Sequence, residues 1–415
     1  MHLLHSQNDT VSTVIFLRNP PPFSPEQLTP PPILPEELIR EILLRLSVKY
    51  LVQFKCVCKL WKTLISDSQF VKSHLQISRI NSQQLVFSVL EKPYKIASYS
   101  LEPLFENSST PIEPVTFCSM KNSKRCIIGS CNGLLCVFHS YHNTVELWNP
   151  SIRFKSNKSP QVVSRDWLIM QYGFGYDQVN DKYKVLLVAR HKRDFTQSLT
   201  KIYTFGENIW KTIPNFSIRP TRRIGKFVNG TLNWMVYKGG VHSNQFMIFS
   251  FHVEKETYRE MLLPQNDGPI YMRSQQNLYV LNNCLCMRDH NGVVWLMKEY
   301  GVVESWTKLM ILPILKNAPC FDVPLFISEN SVLFMRTWSS SFHTFNFFNN
   351  GANETSFAEP WDISEQGAVT LIPKSSSQLV LYNSDIDQCY PLIVKTSTIG
   401  LDLHIHCESL VSLQW

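Results

Sequence analysis

GSCNGLLC, residues Gly129 to Cys136, admits two readings with opposite consequences for the fold. Gly129-x-Cys131-x-Gly133 matches the sharp elbow on which some hydrolases mount a nucleophile. Asn132-Gly133 equally matches the bend of a two-residue β-hairpin, where both central residues take positive φ. The elbow needs a strand before the turn and a helix after it. Here CII precedes the bend, but LLCVF follows, then a turn at SYHN and a further strand-like run, TVELW. The order is strand–turn–strand. Cys131 is therefore expected to be a turn residue, and no histidine or acid can be nominated to activate it.

The same alternation continues to the C-terminus. Short apolar runs such as QLVFSVL, YKVLLVA, TKIYTF, GTLNWMVY, FMIFSF, LYVLNNCLCM, GVVWLMKEY, SVLFMRTW and QLVLYNS are separated by turn signals. Asn229-Gly230 and Asn291-Gly292 repeat the hairpin chemistry of Asn132-Gly133. One longer pattern recurs: a strand, a polar turn, an aromatic residue, then an aliphatic and Pro. IYTFGENIWKTIP, FSFHVEKETYREMLLP and WLMKEYGVVESWTKLMILP show it best, and VELWNPSIRFKSNKSP and LVLYNSDIDQCYPLIV are weaker copies. The clear copies lie about 45 residues apart, the period of a propeller blade. Each unit has an apolar face it cannot bury alone, and stacking units around an axis buries it. About six or seven such blades fit the length. A β-sandwich or two smaller β-domains would also accommodate the runs.

Upstream the period changes. Residues 1–32 carry two Pro triplets, Pro20–Pro22 and Pro30–Pro32, and read as an extended, disordered leader. From residue 33, ILPEELIREILLRLS places Leu38, Ile39, Ile42, Leu43 and Leu46 on one helical face, with Pro35, Glu36 and Glu37 suited to a helix start. Ser47 can stop this helix and cap a second one beginning near Val48. A third is expected in FKCVCKLWKTLIS, and Phe70, Val71, His74 and Leu75 mark a short fourth. This segment, residues 33–78, is about the size below which a domain seldom folds unaided. Leu44 adds apolar surface away from the main stripe. Such a unit needs a partner, either the all-β remainder (79–415) or another protein.

Composition sets the outer bounds. The chain is 44% hydrophobic and 18% charged, with a net charge of +7 carried on scattered Lys and Arg, so no nucleic-acid arm is expected. No apolar run is long enough to span a bilayer, so no membrane partner is expected. VSTVIFL lacks the basic leader and cleavage site of a signal peptide. Eleven cysteines without repeated spacing suit reduced thiols in the cytoplasm or nucleus. His404 and His406 share a strand face without a second ligand pair, and Cys126, Cys131 and Cys136 are spaced by five, so no metal site is assigned. In RDHNGVVW, Asp289 and Gly292 stand one residue too far apart for the Asp turns of some propeller hydrolases. No phosphate-binding loop or carboxylate pair is present, and no cofactor is expected. Two basic loops, RHKRDF and RPTRRIGK, offer Arg190, Arg193, Arg222 and Arg223 to an acidic or phosphorylated segment if they share one rim.

Residues 33–78 resemble an F-box: Leu34-Pro35, Glu37-Leu38, Ile42-Leu43, Arg45-Leu46, Val48-Lys49, Leu51, Phe54, Cys56-Val57-Cys58 and Trp61 carry the similarity. Ser47 stands where that family commonly has Pro. GSCNGLLC, LWNPSIR, YGFGYDQVNDKYKV, NGTLNWMV, SFHVEKETYREMLLP, WLMKEYGVVESWTKL and the terminal ESLVSL resemble the F-box-associated, kelch-like domain of plant F-box proteins. The fold class implied is multidomain α + β: a small three-helix F-box, then a large all-β, propeller-like domain. The resemblance further implies a non-catalytic adaptor of an SCF-type cullin–RING ubiquitin ligase. Its F-box would dock on a Skp-type adaptor, with Leu34, Pro35, Ile39, Ile42, Leu43, Leu46, Leu51, Val57 and Trp61 divided between a small internal core and a groove on that adaptor, and its β-domain would capture a protein substrate. A ligase-independent scaffold and a carbohydrate-binding propeller are the competing readings.

Overall fold

The structure, a computed structural model, describes residues 34–81, 83–89, 94–100, 115–120, 125–194, 196–215, 219–220, 222–239, 244–264, 277–289, 292–311, 323–327, 332–339, 376–383, 388–392 and 399–412. The expected leader and Asn291 lie outside these residues. Two compact units are distinguished, residues up to Ile42 and residues from Leu43 onward.

Four helices open the described chain: α1 (Glu36–Leu44), α2 (Val48–Phe54), α3 (Lys59–Ser66) and α4 (Ser68–Asn81). The Pro35 carbonyl accepts the first helical bonds of α1, from the amides of Leu38 and Ile39 at 3.1 Å, where a missing proline N–H costs nothing. Cys58 caps α3, its Sγ accepting from the Trp61 amide at 3.4 Å. Asp67 caps α4, its Oδ1 accepting from the Phe70 amide at 2.9 Å. That cap starts a helix of 14 residues, longer than the short element expected there. FKCV, expected in the third helix, instead ends α2 and forms the turn after it. Within the second unit Leu43, Leu44, Val48, Leu51, Ile65, Phe70 and Leu75 are buried. Buried His74 on α4 donates from Nε2 to the Leu46 carbonyl, 2.8 Å away.

The rest is β. The strands are β1 (Gln83–Val89), β2 (Tyr94–Ser100) and β3 (Val115–Met120); β4 (Arg125–Cys131), β5 (Leu134–His139), β6 (Thr144–Asn149) and β7 (Phe154–Lys155); β8 (Trp167–Asp177), β9 (Lys182–His191), β10 (Ser198–Thr204) and β11 (Trp210–Ile213). They continue with β12 (Arg219–Pro220), β13 (Lys226–Val228), β14 (Thr231–Gly239), β15 (Asn244–His252) and β16 (Thr257–Leu262). Then come β17 (Asn277–Leu281), β18 (Cys284–Arg288), β19 (Val293–Met297) and β20 (Trp306–Ile311), followed by β21 (Val323–Ile327), β22 (Val332–Ser339), β23 (Ser376–Asn383), β24 (Gln388–Leu392) and β25 (Ile399–Cys407).

Among the described residues these strands form six antiparallel sheets, each nearly consecutive in sequence. The first is the exception: β25 pairs with β1 and so joins β1–β3. Neighbouring sheets touch through their innermost strands, β25 and β1 against β4, β4 against β8, β8 against β13 and β14, these against β17, β17 against β21, and β21 against β25. The ring closes. Its core lies between sheets: Ile128, Leu134, Leu147, Phe174 and Val185 fill the space between the second and third, and Leu186, Trp234, Phe249 and Phe251 the space between the third and fourth.

The recurring sequence pattern is the outer hairpin of a sheet. IYTFGENIWKTIP is β10–β11, FSFHVEKETYREMLLP is β15–β16, and WLMKEYGVVESWTKLMILP is β19–β20; the two weaker copies are β6–β7 and β23–β24. LYVLNNCLCM is a complete hairpin, β17–β18, turning at Asn282 and Asn283 with φ of 47° and 60°. One such turn also ties sheets together. Lys184 on β9 reaches Asp177 at 3.0 Å, the Val253 carbonyl at 3.0 Å and Glu256 at 3.6 Å, and Glu256 binds Lys211 at 2.7 Å.

Candidate functional site

GSCNGLLC is the hairpin β4–β5. Asn132 and Gly133 take φ of 53° and 72°, and β5 rather than a helix follows. Both glycines are set by close packing. A Cβ at Gly129 would stand 2.8 Å from Cβ of Phe174 on β8, and one at Gly133 would stand 2.3 Å from the Ser409 side chain. Ser409 belongs to ESLVSL, of which the described residues, 408–412, follow β25 and meet the second sheet at Asn149. There Asn149 of LWNPSIR, fully buried, donates from Nδ2 to the carbonyls of Ser409 and Val411, each 2.9 Å away. Three separated motifs thus meet at one joint of the ring.

The same terminal segment holds the helices. Ser47 occupies the N-cap position of α2 in an extended conformation but makes no side-chain cap bond, contrary to expectation. The Val48 amide is instead bonded by the carboxylate of Glu408, which also accepts from Gln84 Nε2 at 3.1 Å. Burial pushes the Glu408 carboxyl above its ordinary range, and the Val48 bond opposes this. A second tie joins Lys72 of α4 to Asp181 in the β8–β9 turn, at 3.1 Å, and Asp181 also accepts from the Tyr176 hydroxyl.

The residues expected to meet an adaptor divide by exposure. In the first unit Leu34 and Ile42 are 54% and 52% exposed, Pro35 is exposed and Ile39 half-buried; Leu38, outside that expected set, is exposed too. In the second unit Val57 is 61% exposed, joined by exposed Tyr50, Val52 and Leu60. Leu46 and Trp61 are half-buried, and the Trp61 ring lies 5.2 Å from that of Phe54. Leu43 and Leu51 are 1% and 0% exposed and pack inside the chain. Helical periodicity finds the apolar residues; it does not separate those turned inward from those turned outward.

The four arginines flank β8. Arg190 on β9 faces Leu168 and Ser198 across the sheet, with Arg193 exposed in the turn beyond. Arg222 and Arg223 are exposed on the other edge, where the Arg223 carbonyl accepts from the Tyr172 amide at 2.9 Å. Tyr172 lies four residues along β8 from Leu168, roughly 13 Å at strand spacing.

The remaining chemical candidates have local partners or positions. His404 donates from Nε2 to the Ile127 carbonyl, 3.1 Å away. His406 is buried, and burial lowers its pKa to about 4, so the ring is neutral. Asp289 accepts from the Val293 amide and from Trp295 Nε1, both at 3.0 Å, and so is tied to the start of β19. Among the described residues no three or more His, Cys, Asp or Glu side chains are grouped to hold a metal ion, and no helix is long and apolar enough to cross a membrane.

A short helical segment followed by a closed ring of antiparallel sheets defines a β-propeller protein with a helical N-terminal extension. Residues 32–73 match the F-box domain, and residues 84–317 match the F-box associated beta propeller domain. An F-box/kelch-repeat protein of Arabidopsis thaliana is 32% identical over 75% of this chain and 86% of its own length. F-box protein CPR1 from the same plant is 26% identical over 71% of this chain and 77% of its own, and a further Arabidopsis F-box protein is 26% identical over 67% and 73%. The chain belongs to the plant F-box proteins that carry an F-box-associated β-propeller domain.

Proposed function

We propose that this chain is the substrate-receptor subunit of an SCF-type cullin–RING ubiquitin ligase. Its F-box binds a Skp-type adaptor, and its propeller captures a protein for ubiquitination. The chain itself is non-catalytic and acts by raising the effective concentration of the substrate near a ubiquitin-charged enzyme. One observation carries the reading: the stretch matched to the F-box exposes large apolar side chains in both units, Leu34, Leu38 and Ile42 in one and Tyr50, Val57 and Leu60 in the other. Exposed apolar surface of this kind marks protein interaction sites. The buried pair Leu43 and Leu51 is assigned to internal packing, and Leu34, Pro35, Ile39, Ile42, Leu46, Val57 and Trp61 to the adaptor. Cys56, Cys58, Cys126, Cys131, Cys136, Cys284, Cys286 and Cys407 are free thiols, which supports a reducing compartment, cytoplasm or nucleus.

The test is co-purification of the full chain with a Skp-type adaptor. Leu34→Ala combined with Pro35→Ala is expected to abolish it, since anchor residues in such interfaces cost about 2 kcal/mol or more when truncated. The unfolding transition of the propeller should be unchanged. Undiminished recovery of the adaptor would refute the assignment.

A further inference from the structure

Successive turns of an antiparallel sheet alternate between its two ends, so the ring has two rims. Lys72 brings α4 to the β8–β9 turn on one of them. The other carries the β5–β6 turn, the β9–β10 turn and the chain entering β8. Here Arg165 stacks over the ring of exposed Tyr141, 5.4 Å from its centre, and His142 meets the same ring edge-on at 4.8 Å. Trp167 meets His191 at 5.4 Å, and the Lys192 amide bonds the Asp166 carbonyl at 2.8 Å, which locks the start of β8 to the end of β9. Arg165, Lys192 and Arg193 are exposed, and Arg190 is half-buried, its buried Nε without a hydrogen-bond partner among the described residues. Arg222 and Arg223 are exposed on the far edge of β8, beside Tyr172, and in these turns the acidic side chains among the described residues are Asp166 and Asp194. Those two are committed locally: Asp194 accepts from the Thr196 amide at 3.0 Å and Gln197 Nε2 at 2.9 Å, and Asp166 faces Ser164 Oγ at 3.4 Å.

We infer that this rim, across the second and third sheets and the edge toward the fourth, is the docking surface for an acidic, Asp/Glu-rich protein segment. The inference rests on the substrate-receptor reading and names the class of substrate. Its carrying observation is charge complementarity spread along a surface. A single phosphate needs several donors converging within hydrogen-bond reach, whereas these cations stand on successive strands and turns. Alternate residues of an extended chain lie about 7 Å apart on one side, so a run of carboxylates can meet them in turn. Nucleic acid fits less well. Tyr141 already carries a guanidinium on its ring, and Trp167 is half-buried against His191, so neither is an open platform for a base.

The experiment uses the full chain co-expressed with its adaptor and a fluorescein-labelled peptide of alternating Glu and Ser, about a dozen residues long, enough to cross the rim. The comparison probes are the same peptide with Gln for Glu, the Gln peptide bearing one phosphoserine, and an oligouridylate of equal length. The Glu peptide is expected to bind best, and Arg165→Glu with Arg193→Glu to weaken it at least tenfold, about 1.4 kcal/mol. Raising salt from about 50 to 300 mM should weaken it as well. Arg222→Glu with Arg223→Glu gives an independent reading if the first variant unfolds. Equal binding of the Glu and Gln peptides, tighter binding of the phosphoserine peptide or the RNA, or unchanged affinity in both variants would overturn the inference. Adaptor co-purification is read in the same samples. Its retention with peptide binding lost removes only the rim assignment, and its absence from the wild-type chain removes the ligase reading.

Discussion

At the residue scale, Asn149 shows what a side chain can do that no local pattern announces. Its amide nitrogen serves two carbonyls from a segment 260 residues later, and its Oδ1 accepts from the Ser151 amide at 2.9 Å. Replacing it with Ala leaves the carbonyls of Ser409 and Val411 without this donor in a buried setting. Each such loss costs about 1–3 kcal/mol, so Asn149→Ala is expected to destabilise the chain by about 3 kcal/mol. Asn149→Asp should be no better, since a buried carboxylate offers no donor and carries a desolvation cost. Urea unfolding checks both, with exposed Asn157→Ala as a control expected to change stability by less than about 0.5 kcal/mol. A midpoint for Asn149→Ala equal to the control would remove the joint from the account. The sequence shows Asn149 only as part of LWNPSIR. Its burial depends on where the C-terminus goes, and spacing says nothing of that.

At the element scale, what is legible in the sequence follows from short-range chemistry. Alternating apolar runs become strands, and Asn132-Gly133 and Asn229-Gly230 become turns because few other dipeptides accept two positive φ angles. Pro35 marks the start of α1, and the basic loops fall at turns and edges. Less legible is anything set by a distant partner. The Asp67 cap stands in plain view in SDSQF, yet α4 runs for 14 residues, past the apolar positions Phe70 to Leu75 that mark it in the sequence. Ser47 looks like the cap of α2, but Glu408 serves the Val48 amide from the opposite end of the chain. The adaptor surface is legible only as a set: Ile42 and Leu43 belong to one helical stripe, and burial alone separates the exposed residue from the enclosed one.

Glu408 also gives a pH-dependent prediction. Its carboxyl is pushed up by burial, so the folded chain holds this proton more tightly than the unfolded chain. Ionising it in place opposes folding. The contribution is whole below the unfolded value, about 4.3, and is lost as pH rises through the raised folded value. Glu408→Gln keeps an acceptor for Val48 without the charge. It should therefore match or exceed wild-type stability at neutral pH, with the difference narrowing as pH falls toward about 4.3. Glu408→Ala removes the acceptor and should loosen α2 by about 1 kcal/mol. Hydrogen exchange at the Val48 amide and urea midpoints across this pH range check both. A Gln variant less stable than wild type at neutral pH, by a margin that shrinks in acid, would show that attraction to the helix end outweighs burial.

At the scale of the whole molecule, the ring is closed by its last described strand. β25 pairs with β1, its His406 opposite Gln84 and its His404 opposite Val86, and it contacts both β4 and β21. Five sheets are built from strands near one another in sequence; the first is complete only when the chain end arrives. Long-range pairing of this kind defers its gain until a large loop has closed, so the final transition should be cooperative and dependent on β25. A chain ending at Thr398 lacks β25, the Glu408 tie to α2 and both carbonyls bound by Asn149. It is expected to lose the single sharp unfolding transition and to melt broadly, while a chain ending at Ser412 keeps every bond named here and should unfold as the full chain does. Adding a peptide of residues 399–412 to the shorter chain should restore the transition as the peptide concentration rises, since binding to the folded state alone stabilises it by mass action. Calorimetry reads all three. A sharp transition in the chain ending at Thr398, unmoved by the peptide, would mean that the other sheets close without the C-terminal strand.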